Sequence, residues 1–293
     1  MNEGSIAHVS SPAELSPLVV ITGAAGHLGL ACARRFRDFR LLICDLGDEA
    51  IQAAAAQLCA EGLRAVPFVA DITKRTDVLE LARAAAREGG LQVLVHAAGV
   101  APPTPPEVIY AVNLLGTIHV LDAFEPLLQP GVVGVCVASM AGHRTLGHQF
   151  DALLLDPTDP PATLAQRIES ESPGTPKHRL AYAASKRGTI LQVQRRARDW
   201  GRRGARLLSV SPGVLGDTAM GARRQSGLNH QGDDSPLGRL GTAAEVAEVI
   251  RFAASPAASF MTGTDLLVDG GYVASANHHF DLERRNRWHA LEF

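Results

Sequence analysis

Aromatic residues make up only 5% of this 293-residue chain, and its formal net charge is −2. A balance so close to neutral gives no reason to expect a nucleic-acid partner. Cysteine is scarce: Cys32, Cys44, Cys59 and Cys136 stand far apart in apolar surroundings. No C-x-x-C pair suggests zinc, and no spacing suggests a secreted disulfide framework, so reduced, buried thiols are expected. No apolar run of about 18 residues stands out, so no membrane span is expected. Residues Met1–Pro17 lack the basic start and apolar stretch of a secretory signal. With these classes set aside, the expectation is a soluble, cytoplasmic globular protein. Its 46% hydrophobic residues are enough to fill a two-sided core.

Short apolar or β-branched runs alternate with alanine-rich helical stretches. Strands are expected at 18–22, 41–45, 65–70, 92–96, 132–138, 205–211 and 264–268, with helices near 28–37, 49–61, 75–88, 107–128, 181–200 and 243–254. Continuous apolar strands separated by helices imply a parallel sheet covered on both faces. The expected fold is α/β: one doubly wound Rossmann domain over residues 17–272, with seven parallel strands flanked by helices. A flexible tail (1–16) precedes it, and a C-terminal tail (273–293), whose aromatics suggest that it docks rather than floats freely, follows. The segment 145–179 breaks the rhythm, with Pro157, Pro160, Pro161, Pro173 and Pro176 and a helical candidate only near 161–170. A loop of that length is usually functional or disordered.

Three features carry chemistry. Thr22-Gly23-Ala24-Ala25-Gly26-His27-Leu28-Gly29 follows the first strand and opens a helix. Such a turn lets backbone approach a pyrophosphate, which the helix N-terminus favours. Asp45 ends the second strand, where a carboxylate accepts hydrogen bonds from both adenosine ribose hydroxyls; a 2′-phosphate would meet like charge there. No lysine or arginine follows at Leu46 or Gly47, so NAD(H) is expected rather than NADP(H). Finally, Tyr182 and Lys186 are four apart on one helical face, where an ammonium stabilises a phenolate.

Together these residues resemble the short-chain dehydrogenase/reductase family from about Leu18 to Tyr272. Asp71-Ile72 is similar to the pair that contacts adenine. His96-Ala97-Ala98-Gly99 resembles the family's Asn-Asn-Ala-Gly motif, with its first two positions changed. Asn113, Ser139, Tyr182 and Lys186 fall on the catalytic tetrad, and Pro212-Gly213-Val214 and Val268-Asp269-Gly270-Gly271 match later motifs. The resemblance implies that Tyr182 is the acid or base and that Lys186 lowers its pKa and holds the nicotinamide ribose. It implies that Ser139 hydrogen-bonds the reacting oxygen and that Asn113 holds a relay water. The expected cofactor contacts are Gly23, Gly26, His27, Leu28, Gly29, Asp45, Leu46, Asp71, Ile72, Ala97, Ala98, Gly99, Tyr182, Lys186, Pro212, Gly213, Val214 and, less securely, Thr218.

Departures from the family pattern matter as well. His27 stands where the commonest turn has glycine, and 42 residues separate Ser139 from Tyr182, far more than the family usually places there. Bacterial 3α-hydroxysteroid dehydrogenase/carbonyl reductases resemble the chain in this lengthening, in Leu121-Asp122-Ala123-Phe124 and in Ser255-Pro256-Ala257-Ala258-Ser259. The insertion is expected either to cover a bulky apolar substrate or to replace part of a subunit contact. Leu146, Phe150, Leu153, Leu154 and Leu155 are candidate pocket walls, or else core of a small subdomain. The expected function is NAD(H)-dependent interconversion of a secondary alcohol and a ketone, with a ring alcohol such as a steroid or terpenoid favoured. A 3-oxoacyl thioester reductase, a non-catalytic NAD-binding regulator, and an epimerase or dehydratase are the alternatives. Helices near 107–128 and 181–200 resemble those that pair subunits, so a homodimer or homotetramer is expected. His278 and His279 lack a third placed ligand, and no metal is expected.

Overall fold

Both faces of the sheet's centre are covered, and this is why its inner strands are mainly apolar. In the computed structural model, which describes residues 16–143, 150–172, 174–218 and 235–277, seven parallel strands run in the order β3-β2-β1-β4-β5-β6-β7. They are β1 (Leu18–Thr22), β2 (Arg40–Asp45), β3 (Arg64–Val69), β4 (Leu91–His96), β5 (Val133–Val137), β6 (Arg206–Pro212) and β7 (Asp265–Val268). Alternate residues serve opposite faces. Val19, Ile21, Ile43, Val95 and Val135 pack beneath one helical layer, while Leu18, Val20, Leu42, Leu94 and Cys136 pack beneath the other. Pro67 interrupts β3, an edge strand, where a missing amide donor is tolerated.

The first layer comprises α1 (His27–Arg35), α2 (Asp48–Ala60) and α9 (Ala243–Ala253). The second comprises α3 (Arg75–Glu88), a long composite helix, and α8 (Lys177–Arg202). The composite helix starts as α4 (Pro106–Ile109), widens into a π segment at Tyr110–Leu115, resumes as α5 (Gly116–Phe124) and tightens at Glu125–Leu127. By length and composition this 22-residue stretch, with mean hydropathy 1.3, would pass for a membrane span, contrary to the expectation that no such stretch exists. Its apolarity serves the core instead, since Tyr110, Leu114, Val120, Leu121 and Phe124 are buried.

The described strands and helices form the expected doubly wound α/β architecture, and α10 (Tyr272–Asn277) follows its last strand. His278, His279 and the aromatics beyond lie outside the described residues, as do the first 15 residues and Leu146. Three cysteines are buried as expected, but Cys59 is exposed on α2, because its turn of that helix faces away from the sheet. Burial pushes the Cys32, Cys44 and Cys136 thiols up to about 12.

The described part of the insertion folds into α6 (Asp151–Leu155) and α7 (Pro161–Ser170). Phe150, Leu154, Leu164 and Ile168 bury themselves against Ile109, Tyr110 and Leu114 of the composite helix and against Leu180, Ala184 and Leu191 of α8. Gln192 donates to the Leu154 and Leu155 carbonyls at 2.8 Å, and Arg187 pairs with Asp151. Phe150, Leu153, Leu154 and Leu155 therefore build a third apolar cluster and do not line the large cavity described below. Their spacing along short helices turns them onto α8, away from the sheet edge.

Candidate active site

A cavity of about 910 Å³ runs along the carboxyl ends of the strands, near the upper limit usual for ligand pockets. Parallel strands place their last residues and the following loops at one edge, so motifs distant in sequence converge there. Every residue expected to contact cofactor lines this cavity, from the Gly23–Gly29 turn through Thr218. Ser139, Tyr182 and Lys186 line it too. Asn113 does not.

The floor of one end is the glycine turn. Gly23 has φ +71°, and a Cβ there would lie 2.6 Å from Ala98 backbone atoms; at Gly29 it would lie 2.2 Å from the Gly23 carbonyl oxygen. Side chains at either position would push the turn off the end of β4 or lift α1 from the turn. At the start of α1, Gly26 is the N-cap residue, no side chain caps it and no acid sits in the first turn. The first helical amides have no intrahelical acceptor, and this geometry suits an anion. Asp45 flanks the turn: its carboxylate accepts from the Ala25 amide at 3.0 Å and from the Leu46 amide at 2.8 Å. Asp71 lies two residues beyond β3 and accepts from the Thr73 amide and hydroxyl. Among the described residues that line the cavity no lysine or arginine stands beside Asp45, while Asp71 pairs with Lys74 at 3.6 Å. These features fit a nicotinamide dinucleotide lying with its pyrophosphate on the turn and its adenosine between the two carboxylates.

The other end belongs to α8 and to the turn after β5. Lys186 is buried, donates to the Val137 carbonyl at 2.9 Å and holds its ammonium 6.0 Å from the Tyr182 ring centre. Burial pulls its pKa down from 10.5 to about 8, because a charged ammonium loses hydration there. Ser139 is buried at the mouth of β5, and its hydroxyl accepts from the Ala141 amide at 3.2 Å, capping the turn it opens. That turn is fastened by His143, whose Nε2 lies 2.8 Å from the Asp265 carboxylate on β7. The Ser209 and Ser211 hydroxyls donate to the same carboxylate at 2.5 and 3.0 Å. Thr218 lies in the cavity wall and donates to the Leu215 carbonyl at 2.9 Å.

Asn113 sits in the π segment, a departure from regular α-geometry that often accompanies functional sites. Its amide group is committed: Oδ1 accepts from the Val100 amide at 2.8 Å, and Nδ2 donates to the Val100 carbonyl at 2.9 Å and to the Ser185 hydroxyl at 3.3 Å. The side chain therefore stitches the composite helix to the end of β4 and to α8, rather than presenting its amide to the cavity.

His96, the changed first position of the fourth-strand motif, is buried between the Thr22 and Thr117 hydroxyls at 2.7 and 3.0 Å. Burial and then the Lys186 charge pull its pKa down to about 3, so the ring is neutral. Thr117 spends its proton on the Asn113 carbonyl at 2.6 Å. This assigns the ring proton to Nε2 and makes Nδ1 the acceptor from Thr22. The imidazole thus ties the residue before the glycine turn to the helix carrying Asn113. No sequence signal marks that link, which depends on Thr22 and His96 being paired in register across β1 and β4. Sequence reasoning also missed Pro102, Met140, His178 and Arg179 as lining residues. For the last two a signal existed, since they lie one helical turn before Tyr182 on the same face.

Comparison with known proteins agrees with this arrangement. A family model described as short chain dehydrogenase matches residues 17–150, and one described as Enoyl-(Acyl carrier protein) reductase matches residues 167–273. The short-chain dehydrogenase/reductase bsc3 of Alternaria brassicicola is 33% identical over 88% of this chain and 96% of its own. The 3-alpha-hydroxysteroid dehydrogenase/carbonyl reductase of Comamonas testosteroni is 28% identical over the same shares. Among solved structures, a short-chain dehydrogenase/reductase of Brucella melitensis described as SDR:Glucose/ribitol dehydrogenase aligns with a TM-score of 0.71. It is 26% identical and covers 87% of this chain and 96% of its own.

Proposed function

The chain belongs to the short-chain dehydrogenase/reductase family of oxidoreductases, and from that premise we propose that it interconverts a secondary alcohol and a ketone with NAD(H). The observation that carries this reading is one cavity with the glycine turn and Asp45 at one end and Ser139, Tyr182 and Lys186 at the other. When bound, the nicotinamide supplies the hydride chemistry; orientation and proton handling fall to the protein. Tyr182 gives a proton to the carbonyl oxygen in reduction and takes it in oxidation. The Lys186 ammonium, 6.0 Å from the phenol ring centre, stabilises the phenolate and reaches toward the ribose. The Ser139 hydroxyl, already held by the Ala141 amide, places the reacting oxygen and bears part of its developing charge. Asn113 keeps the tetrad in register by clamping Val100 and Ser185.

Asp45 supports NAD(H) over NADP(H), since its carboxylate faces the place where a 2′-phosphate would sit. The reading predicts that NADH binds at least about 10-fold more tightly than NADPH and that Asp45→Ala erases the preference. Tighter NADPH binding that is unchanged in Asp45→Ala refutes it. Val100, Pro102, Pro103, Met140 and Leu215 give the Tyr182 end an apolar wall, which supports a substrate with an apolar body such as a ring alcohol. Oxidation of a panel of secondary alcohols, alongside 3-oxoacyl thioester reduction, tests the activity. Turnover of thioesters alone moves the assignment to an acyl reductase. Cofactor binding with no turnover of either moves it to a regulator.

Cytoplasmic location is in keeping with four free cysteines. A homodimer or homotetramer through the composite helix and α8 is the proposed assembly. The insertion buries part of those same helices, which favours the smaller of the two.

A further inference from the structure

Resting on the reading above, in which Ser139 places the reacting oxygen, we infer that His143 and Asp265 form a positioning pair that aims the Ser139 hydroxyl. Neither residue lines the cavity, so both act through the turn that Ser139 opens. Ser139 lies two residues past β5, and one tight helical turn, Met140–His143, follows it. The Ala141 amide donates to the Ser139 hydroxyl at 3.2 Å, and the Gly142 amide to the Ser139 carbonyl at 2.9 Å. Where this turn sits, the hydroxyl sits.

The turn has a support on each side. Gly142 lies flat against α8, where a Cβ would come 2.8 Å from the Lys186 carbonyl carbon. One residue later His143 reaches across to Asp265, which opens β7. The first contact sets the distance from Ser139 to the helix carrying Tyr182 and Lys186. The second keeps the turn from sliding along that helix.

Asp265 is built as an anchor. Its side chain is only 7% exposed. Oδ1 accepts from the buried Ser209 and Ser211 hydroxyls of β6, and Oδ2 lies 2.8 Å from His143 Nε2. A carboxylate only accepts, so Nε2 carries the proton. Ser209 pairs with Asp265 in register and Ser211 is two residues on, so strand alternation brings both hydroxyls to one face. The serines bond the aspartate and not the imidazole, so the cluster activates no nucleophile. Stability alone does not call for it, since apolar residues of similar volume often replace buried charged groups without loss. What the network adds is a single geometry, and its last bond ends on the Ser139 turn. A displacement of about 1 Å in a reacting group can cost on the order of 100-fold in rate.

The test is a double-mutant cycle in the intact protein, read as kcat at saturating NAD⁺ for the secondary alcohol of the panel that turns over fastest. His143→Phe keeps a ring but removes the donor; it should lower kcat about 10–100-fold and leave KM for NAD⁺ within about twofold. His143→Gln, which returns a donor near the place of Nε2, should recover much of the rate. In a Ser139→Ala background, His143→Phe should cost less than about twofold, because the group it aims is gone. Additive losses, no recovery with glutamine, or unfolding of His143→Phe overturns the inference. Hydrogen exchange at the Ala141 and Gly142 amides then separates the two readings without any turnover. Faster exchange there in His143→Phe, at unchanged global stability and with no alcohol oxidised by wild type, refutes the proposed activity and leaves the anchor standing. Unchanged exchange overturns the inference whatever the activity. Alcohol oxidation by wild type with an equal kcat in His143→Phe keeps the activity and discards the pair.

Discussion

Lys186 should cost this protein stability, and removing it should make the cofactor-free fold stronger. Burial lowers its pKa from 10.5 to about 8, a shift of about 2.5 units, or about 3 kcal/mol at 1.36 kcal/mol per unit. The sign follows from proton binding. Between pH 8 and 10.5 the unfolded chain holds a proton on this lysine that the folded chain has released, so stability rises with pH across that window. Below pH 8 the full penalty applies. Lys186→Met removes it but strands the Val137 carbonyl, which accepts from Nζ at 2.9 Å, at a cost of about 1 kcal/mol. The net expectation at pH 7 is a gain of about 2 kcal/mol, raising Tm by about 4–8 °C. At pH 9.5 the lysine penalty shrinks to about 1 kcal/mol and most of the advantage disappears. Urea melts of wild type and Lys186→Met at both pH values, with and without NADH, measure this directly. NADH should stabilise the variant less, because its ribose partner is gone. A variant less stable than wild type at pH 7, or a difference independent of pH, refutes the account of Lys186 as a strained, functional ammonium.

Two further predictions concern the links beneath the site. His96→Leu leaves the Thr22 hydroxyl buried without its 2.7 Å partner and should cost about 2–3 kcal/mol in a urea melt; a change under about 0.5 kcal/mol contradicts the wiring described. Because His96 stays neutral down to about pH 3 against an ordinary value of 6.5, the unfolded state takes up a proton first as pH falls through that window. Wild type should therefore lose stability from pH 6.5 toward 3, and His96→Leu should lose less of it; parallel acid curves would contradict this.

The seven parallel strands were legible because each is a largely apolar run between helices. The cavity was legible because a parallel sheet sends Gly23, Asp45, Asp71, Ser139 and Pro212 to the same edge. Thr218, shifted by Gly216 from the usual spacing, still reached the wall. What escaped notice depends on contacts rather than on periodicity. The π segment around Asn113 arises from a change in hydrogen-bond span that no residue pattern marks. Asn113 itself was expected to hold a water, yet its amide is spent on Val100, a partner fixed only once β4 and the composite helix are packed. The insertion showed its proline punctuation but not its direction. Phe150 and Leu154 pack on α8, a helix whose resemblance to subunit-pairing helices gave no sign of this contact.

The central claim is that Tyr182 moves the proton while hydride passes between the alcohol carbon and the cofactor bound on the glycine turn. The most direct measurement uses a secondary alcohol deuterated at its carbinol carbon, incubated with NAD⁺ and the intact protein, with the reduced cofactor analysed by mass spectrometry. The account predicts one deuterium per cofactor in wild type. It also predicts a loss of rate of about 10²–10⁴-fold in Tyr182→Phe, with NAD⁺ affinity retained. Undeuterated product, or a Tyr182→Phe protein as fast as wild type, would contradict it.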